Sequence, residues 1–241
     1  TLGNPPWIKL EWNEAGIISD HRPEFVIKKL SASKTAELRN NVLEDRTVRD
    51  AYLNEYVSLT GQKAFLNAPC NYAILKGTQT NLYKCFLPVA WMNASQAGVS
   101  GFIHPEGVYD DPKGGPLRSE IYRRLRWHFQ FQNGLNLFKE VAHRERYSVN
   151  IYGQIQRSKF KQISNLFAVK TVDESTQRLS SQEVRGIKDD DNNWNLAGHQ
   201  DRVITITEKE LTTFAKLYDA PGTPFDQARL PNVHSVQLLD V

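Results

Sequence analysis

The sequence predicts an α/β fold, because segments with strand periodicity are separated by segments with helical spacing. Apolar and polar residues alternate over residues 127–132 and again over 147–152, which is typical of strands in a sheet. A short apolar run over 99–104, followed by a proline, predicts a third strand. The 241 residues are 40% hydrophobic and 24% charged, a composition that allows a globular protein with a buried core.

The N-terminal part predicts a strand end, a rigid loop and a long helical stretch. Residues 1–3 have the pattern of a strand end, and the two consecutive prolines within residues 4–7 exclude a helix directly after it. Apolar residues recur at helical spacing over 31–66, with Ser33 and Thr35 as alternative N-caps.

The other elements follow from periodicity and turn residues. We predict, in chain order, a helix over 81–92 that contains Pro88, a loop over 105–116, a helix over 117–125, a strand within 159–172, a linker over 173–195, a strand over 203–206 and a helix over 208–218 capped by Thr207. The strands at 127–132 and 147–152 are expected to be neighbours joined by residues 134–146.

Composition limits the classes of function. The net charge is +3, from 30 Lys+Arg and 27 Asp+Glu, so a polyanionic partner would have to contact local clusters of basic residues. No apolar stretch reaches about 18 residues and no signal peptide is visible, so we expect a cytoplasmic protein that does not span a membrane. Cys70 and Cys85 are too isolated for a zinc site, and we expect two buried thiols and no metal.

The tetrapeptide Asn4-Pro5-Pro6-Trp7 carries the clearest chemical signal. An amino group on a nucleic-acid base is a poor nucleophile, because its lone pair is delocalised into the ring. Two fixed acceptors, the side-chain carbonyl of Asn4 and the backbone carbonyl of Pro5, can draw the nitrogen towards tetrahedral geometry. Pro6 makes the loop rigid, and Trp7 offers a flat face on which a base can stack. A proline-rich turn with a buried tryptophan is the structural alternative.

This tetrapeptide resembles the Asn/Asp-Pro-Pro-aromatic motif of amino-methyltransferases, and the segments after it resemble the gamma-type DNA adenine-N6 methyltransferases. The matching segments follow in the same order over about residues 1–153, and they are Asn81-Leu82-Tyr83 with Phe86, residues 101–105, residues 118–125 and residues 147–153. The resemblance extends to the modification parts of restriction–modification and phage-defence enzymes. The insertion after Trp7 is long, and His104 stands where family members vary.

The resemblance implies a fold, a cofactor and partners. We expect the C-terminal half of a Rossmann-like, S-adenosylmethionine-dependent methyltransferase sheet over residues 1–153, with a helical insertion over about 13–67. Residues 154–241 would be a C-terminal extension or the start of another domain. S-adenosylmethionine would be the methyl donor, with Asn4 beside it and the other donor ligands upstream of Thr1. We therefore expect an incomplete fragment that is inactive alone. Double-stranded DNA would be the substrate, and other domains or subunits of such a system would be partners.

By the same resemblance, Tyr152 would form the second wall of a base-stacking slot opposite Trp7, with Tyr147 as the competing candidate. Flipping a base requires a grip on the surrounding phosphates. Basic residues near both ends of the 147–152 strand are therefore candidates for phosphate contacts: Arg144, Arg146, Arg157 and Lys159. A further cluster, formed by Arg118, Arg123, Arg124 and Arg126, is equally well explained as a solvated helix face.

Other functions stay open at this stage. A methyltransferase that acts on RNA or on a protein amide would use a similar tetrapeptide, and so would a cytosine-N4 methyltransferase, although serine usually replaces Asn4 there. A degenerate module that has only a structural or DNA-binding role is the non-enzymatic alternative. The sequence upstream of Thr1 would separate these alternatives, because an active enzyme needs a donor-binding glycine motif.

Overall fold

The computed structural model describes residues 1–177 and 183–239, which form two compact units. One unit is helical and comprises Ile8–Asn81. The other comprises Thr1–Trp7 and Leu82–Val241 and contains the sheet. The β-strands and α-helices together confirm a mixed α/β protein.

The helical unit contains five helices: α1 (Glu14–Ser19), α2 (Glu24–Ile27), α3 (Ala32–Val42), α4 (Arg46–Asn67) and α5 (Pro69–Tyr72), followed by a 3-10 turn at Ala73–Leu75. The single helical stretch predicted over 31–66 is therefore two helices. The chain breaks between them because Asp45 leaves the helical conformation, and its carboxylate accepts from the backbone N–H groups of Thr47 and Val48. The N-cap of α3 is Ser31, so the alternatives Ser33 and Thr35 were wrong.

Within its described residues, the sheet unit contains six strands and five helices. The strands are β1 (Leu2–Gly3), β2 (Ser100–Pro105), β3 (Leu125–Gln132), β4 (Arg146–Tyr152), β5 (Phe160–Leu166) and β6 (Ile204–Ile206). The helices are α6 (Leu82–Met92), α7 (Gly107–Asp110), α8 (Gly115–Tyr122), α9 (Lys170–Thr176) and α10 (Glu208–Tyr218). Short 3-10 turns lie at Asn133–Leu135, Gln200–Arg202, Phe225–Gln227 and Val236–Leu239.

The strand order is β1-β2-β4-β3-β5-β6, and four of the six strands run in the same direction. β1 is parallel to β2, and β3 is parallel to β5, whereas β4 is antiparallel to both β2 and β3. The C-terminal ends of the parallel strands β1, β2, β3 and β5 therefore lie together at one end of the sheet, which we call the carboxyl edge. β4 begins at this edge and ends at the opposite one. In open α/β sheets, ligands bind outside the carboxyl ends of the parallel strands.

The two faces of the sheet differ in chemistry. One face, called the polar face, buries side chains from four neighbouring strands: His104, His128, Gln130, Ser148, Asn150 and Gln162. Tyr83 of α6 and Tyr109 of α7 stack on His104 from this side. The other face is apolar, and its cluster includes Phe131, Tyr147 and Ile163.

Several predicted elements are confirmed and several need correction. The strands at 99–104, 127–132, 147–152 and 203–206 are present to within two residues, and Thr207 caps α10 with a complete capping box. The predicted loop over 105–116 contains the one-turn helix α7, and the helix predicted to reach residue 125 ends at Tyr122 because Leu125 already pairs with Tyr152.

Two further predictions were wrong in part. The linker predicted over 173–195 begins inside α9, and its residues 178–182 lie outside the described part of the chain. Of the two cysteines expected to be buried, Cys85 is buried in α6 but Cys70 is exposed. β5 and β6 pair with the same sheet as β2–β4, and a C-terminal extension could add them in this way, so the boundary at residue 153 stays a prediction.

Candidate functional site

The tetrapeptide lies at the carboxyl edge, on the loop that leaves β1. Pro5 is buried and anchors the loop, whereas the Asn4 side chain is exposed and has no hydrogen-bond partner among the described residues. A turn with two adjacent prolines has few accessible backbone conformations, so the Pro5 carbonyl leaves the sheet in a fixed direction. The exposed Asn4 side chain offers a second acceptor beside the same open edge.

Trp7 is half-buried and packs against aromatic side chains of the apolar face. Its Nε1–H donates to the backbone carbonyl of Ile103 in β2, with an N–O distance of 3.3 Å. Its ring centroid lies 5.9 Å from that of Tyr147 and 6.1 Å from that of Phe138. Phe138 and Tyr147 contact each other edge to face at 4.9 Å, and Phe131 stacks on Tyr147 at 5.6 Å. We call these four residues the aromatic cluster.

The structure does not bring Tyr152 to Trp7, so the expected slot between these two rings is not formed. Tyr147 is the second residue of β4, at the carboxyl edge, and Tyr152 is its last residue, at the opposite edge. They are five positions apart, about 17 Å along the strand, and an odd spacing places their side chains on opposite faces. Tyr147, the competing candidate from the sequence, is the residue that packs against Trp7.

The surroundings of Tyr152 explain its burial. Its side chain is 1% exposed and stands beside Trp91 and Phe102. The Nδ1 of His104 lies 2.9 Å from the Pro105 carbonyl, which can only accept, so Nδ1 carries the proton. The unprotonated Nε2 then accepts from the Tyr152 hydroxyl at 2.9 Å. Burial lowers the pKa of His104 to about 4, which favours this neutral ring.

The predicted phosphate-binding residues lie at two different edges. Arg144 precedes β4 and Arg146 is its first residue, so both lie at the carboxyl edge, on the side of the tetrapeptide. Arg144 is exposed without an ion-pair partner in the described ranges, whereas Arg146 Nη2 contacts Asp110 Oδ2 at 3.0 Å. Arg157 and Lys159 are exposed but precede β5, which begins at the opposite edge. The two pairs therefore lie at opposite ends of the strands, separated by about the length of a strand.

The other arginine cluster has structural contacts. Arg118 is buried and donates to the backbone carbonyls of Val108, Asp111 and Gln227. Arg123 and Arg124 both pair with Glu120. Arg126 donates to backbone carbonyls that include that of Arg124. Arg118 is therefore neither free to contact a phosphate nor part of a solvated helix face, which were the two interpretations left open for this cluster.

A buried acid–base pair lies beneath the carboxyl edge on the polar face. Glu106 follows β2, and its Oε1 lies 3.0 Å from Nε2 of His128 in β3. Both side chains are buried, with Glu106 4% exposed and His128 fully enclosed. Burial by itself would raise the pKa of Glu106, but the charge of His128 and hydrogen bonds from His128 and Ser148 outweigh it and lower that pKa. The pair connects β2 to β3 across β4.

Sequence reasoning missed Phe138, Asn133 and the pair of Glu106 with His128. Phe138 lies in a connection without periodicity, so nothing in the sequence indicates that its ring returns to the sheet. Asn133 precedes a glycine, and in a sequence this pair indicates only the end of a strand. The alternation in β3 does place His128 on one face with Gln130 and Gln132, and this polar face of a strand was the available signal.

Neither a metal cluster nor a membrane segment is found in the described ranges. No group of three or more His, Cys, Asp or Glu side chains within residues 1–177 and 183–239 is arranged to hold a metal ion. In the same ranges, no helix has the length and apolar character needed to cross a membrane.

Comparisons with known proteins give a similarity in structure but no match in sequence. No protein-family model matches the sequence, and no curated protein sequence matches it. Among solved structures, the chain is similar to the type IIG restriction endonuclease BpuSI, with 16% sequence identity and a TM-score of 0.36. The similarity covers 70% of this chain and 18% of that chain, so the chain spans less than a fifth of the length of this neighbour.

Proposed function

We propose that this chain is the base-binding part of an S-adenosylmethionine-dependent DNA methyltransferase that modifies adenine at N6. The observation that carries the proposal is the position of Asn4-Pro5-Pro6-Trp7. The loop lies at the carboxyl edge, where open α/β sheets bind ligands, and it combines a rigid backbone acceptor and an exposed side-chain acceptor with a partly exposed aromatic ring.

The acceptors of the loop suit an exocyclic amino group. The two amino hydrogens of adenine would point to the Asn4 side-chain carbonyl and the Pro5 backbone carbonyl, which localises the nitrogen lone pair for attack on a methyl group. Asn4 is available for this role because its side chain has no partner within the described residues. Preorganised polar groups of this kind contribute most to the reaction rate when their interactions are stronger in the transition state than in the ground state.

Trp7 would hold the base from one side as a supported platform. Tyr147 and Phe138 pack against its ring, and its Nε1–H is bound to the Ile103 carbonyl, so the exposed part of the ring has little freedom to move. Stacking on such a ring contributes about 1–3 kcal/mol per base. In place of the slot expected between Trp7 and Tyr152, the proposed base-binding surface is thus the Trp7 ring, which Tyr147 supports.

The remaining parts of the reaction rest on other groups. S-adenosylmethionine supplies the methyl group when it is bound, with Asn4 beside it. Of the two predicted phosphate-binding residues at the carboxyl edge, Arg144 is free to contact a phosphate beside an extruded base, whereas Arg146 would have to release Asp110. Double-stranded DNA is the substrate in this proposal.

The proposal is tested by the modification state of DNA. Cells that express the complete gene encoding this sequence should carry N6-methyladenine at one recurring DNA sequence, which long-read sequencing of native DNA detects. Cells with the empty vector serve as the control. N4-methylcytosine at a recurring sequence would instead assign a different amino-methyltransferase, and unmodified DNA with methylated RNA or protein would refute DNA as the substrate.

A further inference from the structure

The connection between β3 and β4 is organised by one buried residue. Asn133 directly follows β3 at the carboxyl edge and is 0% exposed. Its backbone N–H donates to the Glu145 carbonyl at 3.0 Å, which brings the two ends of residues 133–145 together. We call residues 134–145 the β3–β4 segment.

The Asn133 side chain directs its hydrogen bonds into this segment. Its Nδ2 donates to the backbone carbonyls of Phe138 at 2.8 Å and Val141 at 2.7 Å. Its Oδ1 accepts from the backbone N–H of Phe138 at 3.0 Å. One side chain therefore holds both backbone polar groups of Phe138, as a neighbouring strand would.

The residue held in this way belongs to the aromatic cluster. The Phe138 ring packs edge to face against Tyr147 at an interplanar angle of 81° and against Trp7 at 63°. The segment contains no strand or α-helix that could place this ring. Asn133 thus holds the backbone of Phe138, and the Phe138 ring is one of two that pack against Trp7.

We infer that Asn133 is a positioning residue, which fixes Phe138 against Trp7 and so keeps the base platform in its binding orientation. The inference rests on the proposed function for the role of Trp7, but not for the contacts of Asn133. A group that is fixed before binding loses less conformational entropy when the ligand arrives. Loosening the segment should therefore weaken base binding even though Asn133 does not reach the base.

The variant Asn133→Asp tests this inference with little change in shape. An ionised aspartate cannot donate to the carbonyls of Phe138 and Val141, so both bonds are lost. The matched control is Asn150→Asp, which places the same group in β4, where the asparagine is bonded to His104, Tyr109 and Ser148. Both variants bury a new carboxylate in the same unit, but only the first one affects the β3–β4 segment.

The first measurement is amide hydrogen exchange of the 241-residue chain. Exchange in residues 134–145 should become about tenfold faster or more in Asn133→Asp, since each lost bond contributes on the order of a tenfold change in an equilibrium. The Asn150→Asp control should not accelerate this segment selectively. Unchanged exchange in Asn133→Asp would overturn the inference, whatever the chain binds.

The second measurement uses a thymine oligonucleotide that contains one 2-aminopurine, whose emission falls when the base stacks on an aromatic ring. We expect several-fold weaker binding by Asn133→Asp and by Phe138→Ala than by the parent chain or the Asn150→Asp control. Binding by Asn133→Asp should improve as the pH falls, because a protonated aspartate can again donate one bond. Phe138→Ala introduces no titratable group, so its binding should not show this recovery.

The outcomes separate the inference from the proposed function. If the parent chain does not lower the probe emission, the proposed base platform fails, and hydrogen exchange alone decides whether Asn133 positions Phe138. If the segment loosens while the probe binds as before, the inference is overturned and the platform stands. Should Asn133→Asp not fold, Phe138→Leu removes the ring contacts without a buried charge, and unchanged probe binding in that variant overturns the inference.

Discussion

Replacing Glu106 by glutamine removes one charge from the pair beneath the carboxyl edge and leaves the shape of the side chain intact. Removing one partner of a buried ion pair typically costs about 3–5 kcal/mol of unfolding free energy. The glutamine carbonyl can still accept from Nε2–H of His128, as Glu106 does at 3.0 Å, so we expect a smaller loss of about 2–3 kcal/mol. In urea denaturation, this loss corresponds to a midpoint about 1 M lower.

The pH dependence follows from the direction of the pKa change. Because the pKa of Glu106 in the folded protein lies below the ordinary value of 4.5, ionised Glu106 stabilises the fold fully above that value. This stabilisation is lost as the pH falls through the lower pKa of the folded state. The difference in unfolding free energy between the parent and Glu106→Gln should therefore be full above pH 4.5 and shrink in acid as the pH falls through the lower pKa of the folded state.

The measurement is urea denaturation followed by near-ultraviolet circular dichroism, which reports on the sheet unit through its packed aromatic rings. The control is Glu120→Gln, because Glu120 pairs with Arg123 and Arg124 nearer the surface, where such pairs contribute about 0–1 kcal/mol. The reasoning is refuted if Glu106→Gln costs no more than the control, or if its cost is the same at acidic pH as near neutrality.

Two further predictions concern the site. Tyr147→Ala should weaken binding of the 2-aminopurine oligonucleotide. Tyr152→Phe should leave this binding unchanged but lower the unfolding free energy by about 1 kcal/mol, because the hydrogen bond to His104 is lost. The reverse pattern would place Tyr152 in the site. Arg144→Ala should lower the salt dependence of duplex binding by about one phosphate contact, and Arg157→Ala should not, as fluorescence anisotropy at several salt concentrations will show. Equal effects of the two arginine variants would contradict a site confined to the carboxyl edge.

Local patterns in the sequence were sufficient to predict most of the sheet. Alternation identified β3 and β4 as neighbours, and Thr207 followed by Glu210 marked the start of α10. These features depend on residues that are close in the sequence, so a single chain displays them. The break at Asp45 was missed because apolar residues on both sides keep a similar spacing.

The site was predictable only up to the tetrapeptide. The position of Trp7 follows from a strand end and two prolines, which are local features. The residues that contact Trp7 depend on the strand order and on the direction of β4. Because β4 starts at the carboxyl edge, Tyr147 and not Tyr152 lies there. The role of Asn133 is harder still to predict, because burial of an asparagine depends on the whole fold around it.

The most direct test of the proposal is to separate turnover from DNA affinity in the protein encoded by the complete gene. Asn4→Ala should lower the rate of methyl transfer from labelled S-adenosylmethionine to duplex DNA by about 10²–10³-fold, because this acceptor acts on the amino group in the transition state. Duplex affinity should be unchanged, since phosphate contacts supply most of it. The control Asn93→Ala, which changes an exposed asparagine at the end of α6, should alter neither quantity. Near-normal turnover by Asn4→Ala, or a loss of rate explained by an equal loss of affinity, would contradict the account.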